Sequence, residues 1–397
     1  MKSNLINKLK LVKFKDIIGV FIFLFLIIPA FIYKMILKIR KKDLWLICEQ
    51  ENTARDNGYS FYKYICINHP EIKTIYAINK KTDAYKKVKG YGKVINWGSI
   101  SHYFYYMSAT RNISSHKNGN PNHTLFTILH LYLNLYNNRV FLQHGITKDD
   151  LEMFYYKNTK FKKFICGAKR EYEYILEKFG YPKENVVYTG FSRFDSLYDI
   201  KPIKQILIIP TWRNWLGSDT NIFGEKIDFT TTDYYKYWNS LLNNKKFKEI
   251  IEKENIEVIF YPHMQMQKYI NLFTTSSDNI KIVDINTKDI QELLKESALL
   301  ITDYSSVYFD FAYMNKPVLY YQFDYNEYRT KQHHIGYFDY NTDGFGKVSD
   351  NEIELVESIR KIIKNNFKLD KEYQERINKF FELRDKNNSE RIFKNIK

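Results

Sequence analysis

Cysteine is scarce: three residues in 397, Cys48, Cys66 and Cys166, with no C-x-x-C pair among them. An odd, scattered set argues against a disulfide framework and for a reducing compartment. Cys48 and Cys166 sit inside the apolar runs LWLICE and KFICGA, where a cysteine serves as a small buried hydrophobe. The chain also has no Walker A loop, no G-x-G-x-x-G and no D-x-D. These absences count against a P-loop NTPase, a dehydrogenase of the usual fingerprint and a metal-dependent A-type glycosyltransferase. No Cys/His spacing suggests zinc, so the expectation is an enzyme with no metal site and no required cofactor, in which cationic side chains and helix dipoles do a metal's work.

What the chain does have is length and aromatics. Its 397 residues exceed one ordinary domain, and 34 Tyr and 29 Phe give two cores ample material to bury. Net charge is +16, of which residues 1–42 carry +9. That basic stretch surrounds IIGVFIFLFLIIPAFIY, residues 17–33, which is uncharged throughout. As a helix, seventeen residues reach about 26 Å, marginal for a hydrocarbon core of about 30 Å. The following KMILKIRKK offers no signal-peptidase site. Lys2, Lys8, Lys10, Lys13 and Lys15 before the segment match Lys34, Lys38, Arg40, Lys41 and Lys42 after it, so charge counting gives no orientation. Pro29 removes a backbone donor and favours a bend. The expectation is a re-entrant or interfacial anchor, with a buried core helix as the alternative. Because the excess charge flanks this segment, its natural partner is an anionic membrane surface rather than nucleic acid.

From residue 43 the chain alternates short β-rich runs with amphipathic stretches, the pattern of βαβ units. Candidate strands are 44–49, 74–79, 93–97, 139–144, 163–168 and 185–190, then, after Lys201-Pro202, a second series at 206–211, 257–263, 280–284, 299–303 and 317–321. The implied organisation is an anchor over 1–42, an α/β domain over 43–200, a second over 201–365, and charged C-terminal helices over 366–397 packing back on the domains. Open α/β sheets bind ligands beyond the carboxyl ends of their strands. Those ends hold Glu49, Gln143-His144-Gly145, Thr211-Trp212-Arg213, Pro262-His263 and Asp303-Tyr304-Ser305-Ser306. Gly145 would let the chain turn and leave the His144 imidazole unobstructed as a base. His263 could donate to a phosphate oxygen, and Arg213 could fork onto a phosphate. Ser305 and Ser306 would occupy a helix cap and first turn, where hydroxyls and free amides hold an anion.

QHG at 143–145, VVYTGFSRFDSL at 186–197, IIPTWR at 208–213, YPH at 261–263 and LLITDYSSVYFDFAYMNKPVLYYQFD at 299–324 together resemble the CDP-glycerol glycerophosphotransferase family, whose members build teichoic acids and related capsule polymers. ARDNGYSFYKYI at 54–65 is similar to the family's acceptor-side segment. The resemblance implies a GT-B-type α/β fold, two Rossmann-like domains facing across a cleft, with an N-terminal membrane-anchor helix at the cytoplasmic face of the cell membrane. It implies transfer of glycerol phosphate, or a related polyol phosphate, from CDP-glycerol or CDP-ribitol to a hydroxyl of a lipid-linked, polyprenyl-phosphate-type acceptor, releasing CMP. His144 and His263 match the family's essential histidines, with Asp303 orienting the serine turn. Thr211, Arg213, Ser305 and Ser306 fall on the donor-phosphate side, and Glu49 and Asn57 on the acceptor side. Gln143 and Trp212-Arg213-Asn214-Trp215 depart from the family's usual residues, which bears on donor and acceptor identity and not on reaction type. Two other readings share these features: a GT-B glycosyltransferase using a nucleotide-sugar, and a non-catalytic nucleotide- or polymer-binding scaffold. Homo-oligomerisation is left open by the sequence.

Overall fold

Strands of two to six residues, most of them apolar and the central ones buried along their length, assemble into two parallel sheets, as expected where helices cover a sheet from either side. The computed structural model describes residues 14–198, 201–218, 227–285 and 287–397, so Lys2, Lys8, Lys10 and Lys13 of the basic flank lie outside the described residues. The chain divides into two units: residues 1–146, 152–196 and 385–397 form the first, and 147–151 with 197–384 form the second.

In the first unit the elements run α1 (Phe14–Ile39), β1 (Leu44–Cys48), α2 (Asn57–Asn68), β2 (Lys73–Ile78), α3 (Asp83–Val88), β3 (Lys93–Asn96), α4 (Ile100–Ser108), β4 (Arg111–Ser114), α5 (His123–Leu131), β5 (Arg139–Phe141), α6 (Tyr156–Thr159), β6 (Lys163–Cys166), α7 (Lys169–Lys178) and β7 (Val186–Tyr188). The sheet order is β3-β2-β1-β4-β5-β6-β7, all parallel. The winding reverses between β1 and β4, which makes the gap beyond their carboxyl ends the switch point where such sheets hold ligands.

The second unit carries β8 (Gln205–Ile209), α8 (Asp233–Asn243), α9 (Lys245–Lys253), β9 (Glu257–Phe260), β10 (Ile280–Ile282), α10 (Ile290–Glu296), β11 (Leu299–Thr302), α11 (Val307–Tyr313), β12 (Val318–Tyr321), α12 (Tyr325–Lys331), β13 (Val348–Ser349), α13 (Glu352–Lys364) and α14 (Lys371–Phe380). Its order, β10-β9-β8-β11-β12-β13, repeats the logic, with the reversal between β8 and β11. The expected C-terminal segment is shared out: α14 belongs to the second unit, and the last helix, α15 (Asn388–Ile396), belongs to the first.

Helix α1 contains the 17–33 segment and continues through Pro29 as one helix of 26 residues, about 39 Å at 1.5 Å per residue. By length and composition it could cross a membrane. One stripe of it is core. Asp16, Gly19, Phe23, Leu26, Ala30 and Leu37 are buried, with half-buried Tyr33 completing an alternating three- and four-residue spacing. That is the period of a helix seam. The stripe packs with β1, α4 and α5: Phe23 meets Phe126 edge-on, Tyr33 meets Phe104, and Ser108 Oγ donates to the Ala30 carbonyl at 3.3 Å. The other faces are apolar and uncovered, with Phe21 67%, Phe25 80%, Ile28 70% and Phe31 63% exposed.

Candidate functional site

At the first switch point, β1 ends on Glu49, which is buried and is not an open carboxylate. It accepts from the amides of Arg55, Asp56 and Tyr59, at 2.9, 2.8 and 2.8 Å, fastening the start of α2 to the strand. Burial raises its pKa against the pull of these amides. Asn57, fully buried at the first position of α2, donates Nδ2 to the carbonyls of Leu142 (3.2 Å) and Gln143 (2.8 Å), and its Oδ1 accepts from the Arg193 amide (3.2 Å). Both residues therefore shape the loop that carries His144.

The turn before His144 is made by Gln143 and not by Gly145. Gln143 takes the left-handed backbone, φ +58°, a strained position for a residue with a side chain. It is held there by its own amide, which donates to Ile165 O (2.6 Å) and Glu171 Oε1 (2.9 Å). His144 then projects with an exposed ring. Partial desolvation in its loop, then the charge of Arg193, hold its pKa below the ordinary histidine value, against a hydrogen bond with the Ser115 backbone. The imidazole is thus neutral and proton-accepting near pH 7.

A second histidine stands beside it. His116, two residues past β4, stacks on His144 with ring centroids 4.9 Å apart and planes 5° from parallel. Its Nε2 lies 4.0 Å from Asp56 Oδ2, and Asp56 Oδ1 accepts from Arg193 Nη1 at 3.0 Å. Burial, then His144 and Arg55, push the His116 pKa down to about 3. The first unit therefore gathers His144, His116, Asp56 and Arg193 at the ends of β4, β5 and α2. His116 is hard to find in the sequence because β4, RNIS, has no apolar run to announce a strand.

At the second switch point, the ends of β8 and β11 are stapled together. The Thr211 amide donates to Asp303 Oδ1 (2.8 Å), and the Tyr304 amide donates to Asp303 Oδ1 (2.7 Å) and to Thr211 Oγ1 (3.3 Å). Arg213 is the largest departure from expectation. It is fully buried and forks onto carboxylates, not outward: Nε to Asp324 Oδ2 (2.7 Å), Nη2 to Asp324 Oδ1 (3.0 Å) and Nη2 to Asp303 Oδ2 (2.8 Å). The rings of Tyr304, Tyr328 and Tyr234 surround its guanidinium at 5.1–5.3 Å. Burial works against its charge, yet the two carboxylates raise its pKa further above the ordinary value. Asp303, equally buried, accepts from Thr211, Tyr304 and Arg213 and is an internal brace of the turn.

Above this strut sit Ser305 and Ser306, both half-buried. Ser306 immediately precedes α11, and its hydroxyl makes no capping bond. Among the described residues neither serine hydroxyl and neither serine amide has a protein partner. His263, at the end of the β9 segment, accepts the Gln265 amide on Nδ1 at 3.2 Å, which places the proton of the neutral ring on Nε2. Its ring lies face to face with Trp212 at 6.1 Å. Positive charge comes from residues without a sequence signal. Buried Lys148 and Arg329 share the single carboxylate of Asp149, Arg329 at 2.6 Å, and both lie within 6 Å of the Tyr340 ring, which in turn meets Tyr304. Their partnership joins positions 180 apart in the chain.

Two parallel α/β units, each with a reversal of winding and polar groups at its switch point, define a GT-B-like chain. The solved wall teichoic acid polymerase TagF has this fold: it matches with a TM-score of 0.65 and 16% identity over 97% of this chain and 98% of that one. The UDP-GlcNAc 2-epimerase of Neisseria meningitidis is a more distant fold neighbour, TM-score 0.51 at 10% identity, covering 89% of this chain and 99% of that one. The chain belongs to the CDP-glycerol:poly(glycerophosphate) glycerophosphotransferase family, whose sequence model matches residues 30–397. Among its relatives, the minor teichoic acid biosynthesis protein GgaB of Bacillus subtilis is 34% identical over 367 residues, 90% of this chain and 40% of GgaB. The teichoic acid poly(glycerol phosphate) polymerase of the same organism is 24% identical over 371 residues, 86% of this chain and 46% of the polymerase. The chain thus spans less than half the length of these relatives.

Proposed function

We propose that this chain transfers a polyol phosphate from a CDP-activated polyol to a hydroxyl of a membrane-bound, lipid-linked acceptor, releasing CMP, in teichoic acid or capsule polymer synthesis. The observation behind this reading is the DYSS turn: two serine hydroxyls and two amides, without partners among the described residues, at a switch point of a family member. Such a cluster suits a pyrophosphate. The relatives' names supply the polymer class.

The acceptor oxygen attacks the phosphorus that carries the polyol. A new P–O bond forms, the P–O bond to CMP breaks with its electrons leaving on CMP, and the acceptor's proton passes to neutral His144. Ser305, Ser306 and the Nε2–H of His263 donate to phosphate oxygens, and the surplus positive charge of Lys148 and Arg329 favours the dianionic donor. Phosphoryl transfer needs mainly this positioning and charge stabilisation. Glu49, Asn57, Thr211, Arg213 and Asp303 hold those groups in place. Helix α1, with its exposed apolar faces and basic flank, would lie in the interface at the cytoplasmic face of the membrane.

The test is a donor screen scoring nucleotide release with CDP-glycerol, CDP-ribitol and UDP-sugars against lipid-linked acceptors of different head groups. CMP release dependent on both a CDP-polyol and an acceptor is expected. UDP release from a UDP-sugar, with no CMP from either CDP-polyol, would replace this reading with sugar transfer.

A further inference from the structure

Beside α1 the first unit holds a cavity of about 820 Å³, in the size range of sites for small ligands. Its walls combine two chemistries. Met35 and Met107 line it, with Leu135 contributing an apolar side chain that is 46% exposed. Lys34, Lys38, Lys41 and Lys42 also line it, and Asp43 is the one acid there. Among the described residues the side chains of these four lysines have no ion-pair or hydrogen-bond partner. Lys34 is half-buried and lines the groove between Phe31 and Leu37 along α1. An apolar groove with an uncompensated cationic rim calls for a ligand that is hydrocarbon at one end and anionic at the other.

The position of the groove narrows the choice. It shares Ile27 and Phe31 with α1, whose outward residues Phe21, Phe25 and Ile28 form the uncovered apolar face. We propose that this groove binds one molecule of a phospholipid with a net anionic headgroup, its chain against Met35, Met107 and Leu135 and its phosphate on Lys34, Lys38, Lys41 and Lys42. The proposal rests on the reading of α1 as the membrane-facing helix, because the lipid would enter along that face. It adds to that reading a discrete, saturable site, which a general attraction of basic residues to an anionic surface would not produce.

The full chain, purified in detergent, is titrated with dioctanoyl phosphatidylglycerol and followed by native mass spectrometry. Saturable one-to-one retention is expected, with dioctanoyl phosphatidylcholine, glycerol 3-phosphate and inorganic phosphate each at least tenfold weaker. Equal retention of the choline lipid, or equal competition by inorganic phosphate, overturns the proposal; the first indicates an unspecific apolar groove and the second an anion site alone. Met35→Trp with Leu135→Trp fills the groove without touching its charge and should abolish retention while binding to vesicles of phosphatidylglycerol persists. Retention surviving that pair also overturns it. Phe21→Ser, Phe25→Ser and Ile28→Ser together should do the reverse, losing vesicles and keeping the lipid in detergent. If instead they leave vesicle binding intact, the membrane reading of α1 fails separately from the groove. The wild-type titration decides the matter even where a variant does not fold.

Discussion

At the scale of single residues, the two groups expected to meet the donor's phosphates divide into a support and a surface. Arg213→Gln leaves the Asp303 and Asp324 carboxylates buried without their cation, a loss of about 3–5 kcal/mol. Chemical denaturation should show it as a shifted midpoint. Ser305→Ala with Ser306→Ala breaks no bond within the protein, so stability should stay within about 0.5 kcal/mol of wild type. The donor KM should rise about tenfold or more, since hydrogen bonds to charged groups are worth about 1.5–3 kcal/mol. Steady-state kinetics beside a melting curve separates the two cases. At His144 the charge of Arg193 adds to desolvation in lowering the pKa, so Arg193→Gln should raise it, read from the imidazole proton resonance against pH. The motif histidines and serines could be found from sequence because they end apolar runs. The fate of Arg213 could not, since its partners lie 90 and 111 positions away and a sequence does not show which charges will be buried together.

At the scale of elements, strand centres follow from β-branched and aromatic runs, but their ends are shorter than the runs suggest. FLQH reads as continuous strand, yet β5 stops at Phe141 because Gln143 must turn left-handed to present His144. β4 escapes notice because it opens on half-buried Arg111 and on Asn112, a polar residue buried between the flanking strands, and with β4 goes the signal for His116. α1 is legible as apolar and long, but its seam is not, because an all-apolar stretch hides which stripe will be core. Gly19 marks that seam. A Cβ there would stand 2.4 Å from both Tyr103 Oη and Asn122 Nδ2. Asn122 also caps α5 by accepting from the Leu125 amide at 2.9 Å. Gly19→Leu should therefore cost about 1–3 kcal/mol of overpacking and disturb a cap worth about 1 kcal/mol. A lowered melting temperature, with the exposed face of α1 unaltered, is the expected result.

At the scale of the whole molecule, composition called for two cores, and the parallel sheets supply them. The division between them cuts less simply than strand counting suggests: residues 147–151 join the second unit and α15 joins the first. Apolar periodicity tells a helix which face to bury and not which sheet to bury it on. The first unit also stores a pH dependence. His102 and His130 are 0% and 2% exposed, and desolvation pushes their pKa values to about 3 and about 2. Both are depressed, so the unfolded chain takes up protons first. Stability is full above the unfolded histidine value of about 6.5 and drains away as pH falls below it, by about 1.4 kcal/mol per pH unit for each group. Urea midpoints measured from pH 7.5 to 5 should fall steadily, with a shallower slope in His130→Phe. On the membrane reading, the seam of α1 has one last effect. A helix on a loose linker would let the enzyme wander through a shell of solvent above the bilayer; one sewn into the core holds the first unit at a single height. On the proposed reaction, an acceptor held in the membrane would then reach that unit by sliding in two dimensions.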